Sequence, residues 1–110
     1  MIYELLHRYN EFIQSYKIER FRQVGMSYEL IATVIFNNTN ELHIHDYLFL
    51  DGKRKYAYHY QDNTGQLIFR YDTASHFKQL STYPYHKHLP DKVVESNVLT
   101  IEKVFAEIAT

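Results

Sequence analysis

The chain has no cysteine and no tryptophan, and among its 110 residues there are only three glycines and two prolines. Without cysteine there are no disulfides, no thiolate metal ligands and no cysteine nucleophile, a composition compatible with a reducing compartment. Long apolar runs are missing as well. No stretch approaches the roughly 20 residues that span a bilayer, and the N-terminal "MIYELLHRYNEF" interrupts its apolar pattern with charges, unlike a signal peptide. Charge of one sign is also lacking. Twelve Lys and Arg against 13 Asp and Glu leave a formal net charge of -1, so no global field recruits nucleic acid or an anionic membrane, and any nucleic-acid contact must be local. A soluble cytoplasmic protein with no membrane contact is the expectation.

What the chain does contain is enough apolar material for one domain, 45% hydrophobic over 110 residues, without repeats or linkers that would divide residues 1–110. Eleven tyrosines and seven phenylalanines suit the pleated, half-exposed surface of a sheet. Ile2, Leu5, Leu6, Tyr9, Phe12 and Ile13 recur at helical spacing, with His7, Arg8 and Glu11 on the other side, and predict an amphipathic helix over 2–13. Tyr16 and Ile18 alternate with Lys17 and Glu19, so 15–23 reads as a strand entering a "VGMS" hairpin loop. Then "YELIATVIF", "ELHIHDYLF", "RKYAYHYQ" and "QLIFRYD" follow, separated by "NNTN", "DG" and "DNTG", the pattern of an antiparallel meander. Thr100 precedes Ile101, Val104, Phe105 and Ile108 as the N-cap of a closing helix. Pro84 and Pro90 oppose regular structure, so "YPYHKHLP" is expected as an ordered surface loop. The expected fold is α+β: a meander sheet of about five strands with an N-terminal helix and a short C-terminal helix.

Loop lengths set register, and register decides which side chains share a face. With four-residue "NNTN" and "DNTG" loops and a two-residue "DG" loop, Asp46 faces Ala57, which faces Arg70, while Ile44, His59 and Ile68 form the next row. The same counting across "VGMS" sets Arg20 opposite Ile31, beside Asp46. One face then carries Ile31, Ile35, Leu42, Ile44 and Ile68, with Arg20, Asp46, Lys55, His59, Arg70 and Asp72 among them. The other carries Leu30, Val34, Phe36, Phe69, the tyrosines Tyr47, Tyr56, Tyr58, Tyr60 and Tyr71, and His43 and His45.

Four constellations are candidates for chemistry. Asp46, Lys55, His59, Arg70 and Asp72 combine a histidine that moves protons near neutrality with an arginine that holds phosphate, or they form a ladder of cross-strand ion pairs. His43 and His45 point one way from a strand and offer two imidazoles to a metal, but no third ligand is placed for it, and edge histidines among tyrosines are the plainer reading. In "YPYHKH", Tyr83 and Tyr85 interleave with His86, Lys87 and His88, which suits stacking on unpaired bases beside phosphate contacts, or these side chains fold back over a sheet edge. Tyr56, Tyr58 and Tyr60 form either a stacking platform or core with their hydroxyls reaching solvent.

Taken together, the run Tyr58, Tyr60, Asp62, then Phe69, Arg70, Tyr71, Asp72, then Tyr83, Pro84, His86, Lys87, His88 and a short final helix resembles the TumE family of toxins from prokaryotic toxin–antitoxin modules. The resemblance covers 42–108 well and the N-terminal third only in outline. His76, followed by Phe77, takes the place of a further family histidine. The resemblance implies a growth-inhibiting toxin with a cognate DNA-binding antitoxin as partner. It brings "YPYHKH" and the "FRYD" strand together as a metal-free ribonuclease site acting on RNA or the ribosome. Its catalytic set is His59, Arg70, Asp72, His86, Lys87 and His88, with Arg70 and Lys87 on phosphate, His86 or His88 moving protons and Asp72 orienting a histidine. Tyr58, Tyr60, Tyr71, Tyr83 and Tyr85 are the expected substrate contacts, and no cofactor or metal is called for. A non-enzymatic inhibitor that occupies a target, or a homodimeric interaction module, is the competing expectation.

Overall fold

Side chains alternate between a buried and a more open face along β2, β3 and β4, and the chain lays each strand beside the one before it. The computed structural model describes residues 2–73 and 84–110. Helix α1 (Ile2–Arg8) leads through a short 3-10 turn at Asn10–Phe12 into β1 (Ile13–Val24), β2 (Ser27–Phe36), β3 (Glu41–Leu48), β4 (Arg54–Gln61) and β5 (Leu67–Asp72). After these come β6 (His86–Leu89), β7 (Lys92–Glu95) and helix α2 (Ile101–Ile108). Among the described residues the strands form one antiparallel sheet in the order β1 to β7. The sheet and its two helices agree with the expected class, but there are seven strands, not about five. The additional pair is the β6–β7 hairpin, where a loop was expected: the two prolines flank "HKHL" instead of interrupting it, so its backbone is free to pair with β5 on one side and β7 on the other. No described helix is long and apolar enough to cross a membrane.

The loops correct the expected register. After β2, β3 and β4 each loop has three residues, closed by N–H to carbonyl bonds of 2.9 Å from Phe36 to Asn40, Phe49 to Lys53 and Asp62 to Gln66. The third loop residue, Thr39, Gly52 or Gly65, has φ of 71°, 86° or 90°. That is the three-residue hairpin with a left-handed last residue. Arg20 does pair with Ile31, but Ile31 pairs with His45, His45 with Ala57, and Asp46 with Tyr56. A bulge beyond Tyr60 then sets His59 against Arg70 and Ala57 against Asp72. The one-residue change turns β3 over: Leu42, Ile44 and Asp46 join the tyrosine face, and His43 and His45 leave it.

That tyrosine face is the core. Leu30, Val34, Leu42, Ile44, Tyr58 and their neighbours are buried with Ile2, Leu5 and Leu6 of α1 and Ile101, Val104 and Phe105 of α2. Phe105 touches both Phe36 and Tyr9, at ring distances of 6.1 and 5.7 Å. One charge sits within this layer. Asp46, 1% exposed, accepts from Tyr58 Oη at 2.6 Å, Tyr28 Oη at 3.1 Å and Arg54 Nη2 at 3.0 Å. Arg54 also donates to the Leu99 carbonyl at 2.8 Å, and the Leu99 N–H donates to Tyr56 Oη at 3.1 Å, which ties the segment before α2 to β4. Burial and the Asp46 carboxylate push the Tyr28 hydroxyl up to about 12 and raise that of Tyr58 further. Burial works against the Arg54 charge, but Tyr58 and Asp46 outweigh it and hold the guanidinium protonated.

Candidate functional site

The pleat that buries the tyrosines sends the intervening residues to the opposite face, which no described helix covers. Two rows cross it. One runs Thr33, His43, His59, Arg70, His88; the next runs Ile31, His45, Ala57, Asp72, His86. Five of the chain's seven histidines thus share a sheet face with Arg70 and Asp72. Ala57 is the small residue among them, and the missing bulk leaves room. A depression of about 400 Å³ lined by His43, His45, His59, Gln61 and Arg70 meets one of about 560 Å³ that continues past Lys55, Tyr47 and Phe49. Tyr47 and Phe49 stack at 6.5 Å with planes 11° apart, and Phe49 is half exposed.

Arg70 organises the floor of this groove. Its Nε donates to Asp72 Oδ2 at 2.8 Å and its Nη1 lies 3.2 Å from His59 Nδ1. A guanidinium has no acceptor, so His59 Nδ1 accepts and the ring proton is on Nε2, which donates to Gln61 Oε1 at 3.0 Å. Burial first, and then the Arg70 charge, lowers the His59 pKa and keeps the imidazole neutral. A histidine fixed as one neutral tautomer beside a permanent cation can take a proton once the arginine turns to an anionic ligand. His45 lies diagonally across from His59 and is exposed. Diagonal neighbours on antiparallel strands sit about 7–8 Å apart, room enough to flank a phosphate.

At the groove's far side Asp72 meets two imidazoles. His86 Nε2 is 2.5 Å from Asp72 Oδ1 and His88 Nε2 is 3.4 Å from Oδ2. His86 is 2% exposed, and its Nδ1 donates to the Pro84 carbonyl at 3.1 Å. His88 is more open. Burial lowers its pKa, Asp72 opposes this, and His86 and Arg70 lower it further.

The structure brings His59, Arg70, Asp72, His86 and His88 to one face, but not Lys87. Lys87 alternates to the core side, where its Nζ lies 3.2 Å from Glu107 Oε2 and 4.8 Å from the Tyr71 ring centre, bracing α2. Tyr58, Tyr60 and Tyr71 lie in the core, 0–6% exposed. Tyr85 stacks on Tyr56 at 6.2 Å, away from the groove. Tyr83 and His76 lie outside the described residues. His43 and His45, expected on the opposite face, stand in the groove, as do Tyr47 and Lys55. The signal that would have placed them was the αL residue ending each loop, which favours three-residue loops over four or two.

The family model described as Toxin TumE matches residues 2–110. Nothing matches among curated proteins or among solved structures.

Proposed function

The chain belongs to the TumE toxin family, and from that premise we propose that it inhibits growth by cleaving RNA in the groove of its open sheet face, using histidines and an arginine. Membership makes it a toxin of a toxin–antitoxin module with an antitoxin as partner; we take that antitoxin to be DNA-binding and encoded beside it. The observation that carries the catalytic reading is the His59–Arg70 contact, a neutral imidazole held 3.2 Å from a guanidinium on an accessible surface. An RNA phosphate entering the groove draws Arg70 Nη1 to its non-bridging oxygens and frees His59 Nδ1. His59 then takes the proton of the 2′-hydroxyl as the 2′-oxygen bonds to phosphorus, and His45, protonated, gives a proton to the departing 5′-oxygen. The products are a 2′,3′-cyclic phosphate and a 5′-hydroxyl. Lys55 adds charge along the backbone, and the Tyr47–Phe49 pair offers a stacking surface for a base.

The test is induction of the chain alone in cells, beside Arg70→Ala and His59→Ala, with total RNA mapped for new ends and the purified proteins assayed on RNA in EDTA. Arrest with cyclic-phosphate ends, and a loss of 100-fold or more in both folded variants, is the expected result. Arrest without new ends overturns cleavage and favours an inhibitor that works by occupancy. One observation supports that second reading: Val24, Met26, Phe49 and Leu50 are 49–85% exposed at the tips of neighbouring hairpins, an apolar cluster of the kind that marks protein contacts.

A further inference from the structure

We infer that Asp72, His86 and His88, at the far side of the groove, form a binding site for a divalent transition ion of the zinc type, an inference independent of whether RNA is the target. The His-x-His spacing on β6 sends both imidazoles to one face, and the antiparallel pairing of β5 with β6 places Asp72 directly opposite His86. The three donor atoms lie within 4.8 Å of one another. Ligand bonds of about 2.0–2.2 Å in a tetrahedral site need donors roughly 3.4 Å apart, so side-chain rotations that spread His86 Nε2 from Asp72 Oδ1, which lie 2.5 Å apart, make room for one ion.

The surroundings match what metal ligands require. A ligating histidine commonly donates its other ring N–H to a carbonyl, which orients the ring; His86 Nδ1 does this to Pro84 at 3.1 Å, and its Nε2 faces Asp72. A ligating carboxylate is itself held by hydrogen bonds, and Arg70 Nε holds Asp72 Oδ2 at 2.8 Å. The Asp72 and His86 side chains are 8% and 1% exposed, whereas that of His88 is 24% exposed. Water therefore reaches the cluster from the His88 side, the natural position for a fourth ligand.

The architecture gives the ion a purpose. The pairing of β5 with β6 consists of three residue pairs, Arg70 with His88, Tyr71 with Lys87 and Asp72 with His86. This short seam joins the β6–β7 hairpin to the rest of the sheet, and two of its three pairs supply the three ligands. An ion bridging them cross-links the hairpin to the sheet and closes the connection between β5 and β6, as a staple does.

The test titrates zinc into the EDTA-dialysed full chain by calorimetry and follows Tm with added zinc. One ion per chain and a Tm that climbs with zinc are expected. His88→Gln, a change at the most accessible ligand, should weaken binding at least tenfold while far-UV circular dichroism stays native. His88→Cys, which supplies another zinc ligand, should restore it. The His43→Gln/His45→Gln double variant should bind zinc as the parent does. Absence of binding by the folded parent, or binding that His88→Gln leaves unchanged, overturns the proposal and reduces the cluster to an aspartate sharing protons with two histidines.

Discussion

Two buried aspartates show how differently one side chain type is used on the two faces of this sheet. Asp46 sits in the core layer and takes its charge balance from Arg54, with Tyr58 and Tyr28 filling its other lone pairs. Asp46→Ala leaves the Arg54 guanidinium uncompensated in a site where its side chain is 18% exposed, and urea unfolding should show a loss of about 3–5 kcal/mol. Tyr58→Phe removes its bond to the carboxylate and the one it accepts from Arg54 Nη2 at 2.8 Å, but leaves the ion pair, and should cost about 1.5–3 kcal/mol. On the open face, His59 carries the pH dependence. Burial, Arg70, His43 and His88 disfavour its charged form, and Gln61 alone favours it, so its folded pKa lies below the unfolded value of 6.5. The unfolded chain therefore gains this proton first as the pH falls. The stability that neutral His59 contributes is complete above about pH 6.5 and is lost as the pH drops through its folded value. The urea midpoint of His59→Gln should accordingly fall less steeply between pH 7 and 5 than that of the parent.

At the scale of the element, the hairpin loops decide most of what the site looks like. Thr39 is a β-branched residue at φ 71°, where L side chains crowd the backbone by about 1–2 kcal/mol. Glycine relieves that crowding but gives up roughly 0.5–1 kcal/mol in chain entropy, so Thr39→Gly should raise stability by up to about 1 kcal/mol. Gly65→Ala, at φ 90°, should lower it by about 1–2 kcal/mol, and in both variants the denaturant slope should stay constant. These same loops mark the boundary of what could be read from the chain. Alternation located β1 to β5, and apolar spacing located α2, because both patterns are local. Whether His45 faces the groove or the core rests on one residue in the "NNTN" loop, and the helical and strand patterns say nothing about that residue. The β6–β7 hairpin was hidden because proline argues against a strand only where it interrupts one, and here both prolines stand just outside. Arg70, His59 and Asp72 were recognisable as a group because the β4–β5 register moved by two residues, one from the shorter loop and one from the bulge, and a shift of two keeps the face. His86 and His88 were recognisable as residues, but their convergence on Asp72 needed β6 to exist.

At the scale of the whole molecule, the sheet order equals the chain order, so every strand bonds to its neighbours in sequence. Among the described residues such a sheet has two edges, β1 and β7. The long one is β1, twelve residues and largely exposed on both faces, with Lys17, Glu19, Arg20 and Arg22 among its outward charges, which discourage pairing with other chains. The core is covered by two helices at opposite ends of the element order, and Phe105 of α2 packs between Phe36 of the sheet and Tyr9, just beyond α1. Phe105→Ala should cost about 3–5 kcal/mol, read from thermal or urea unfolding.

That arrangement also governs the order of events during synthesis. A ribosome makes the seven described strands before it makes α2, so until that helix emerges the tyrosine face of the nascent sheet has α1 but lacks the cover that Ile101, Val104 and Phe105 supply. A chain that ends before α2 lacks its buried stripe of Ile101, Val104 and Phe105, so part of the core is left open to water. A stop codon placed after residue 99 should give inclusion bodies in place of a folded, soluble product, and a soluble, cooperatively unfolding product would show that α2 is dispensable for the core.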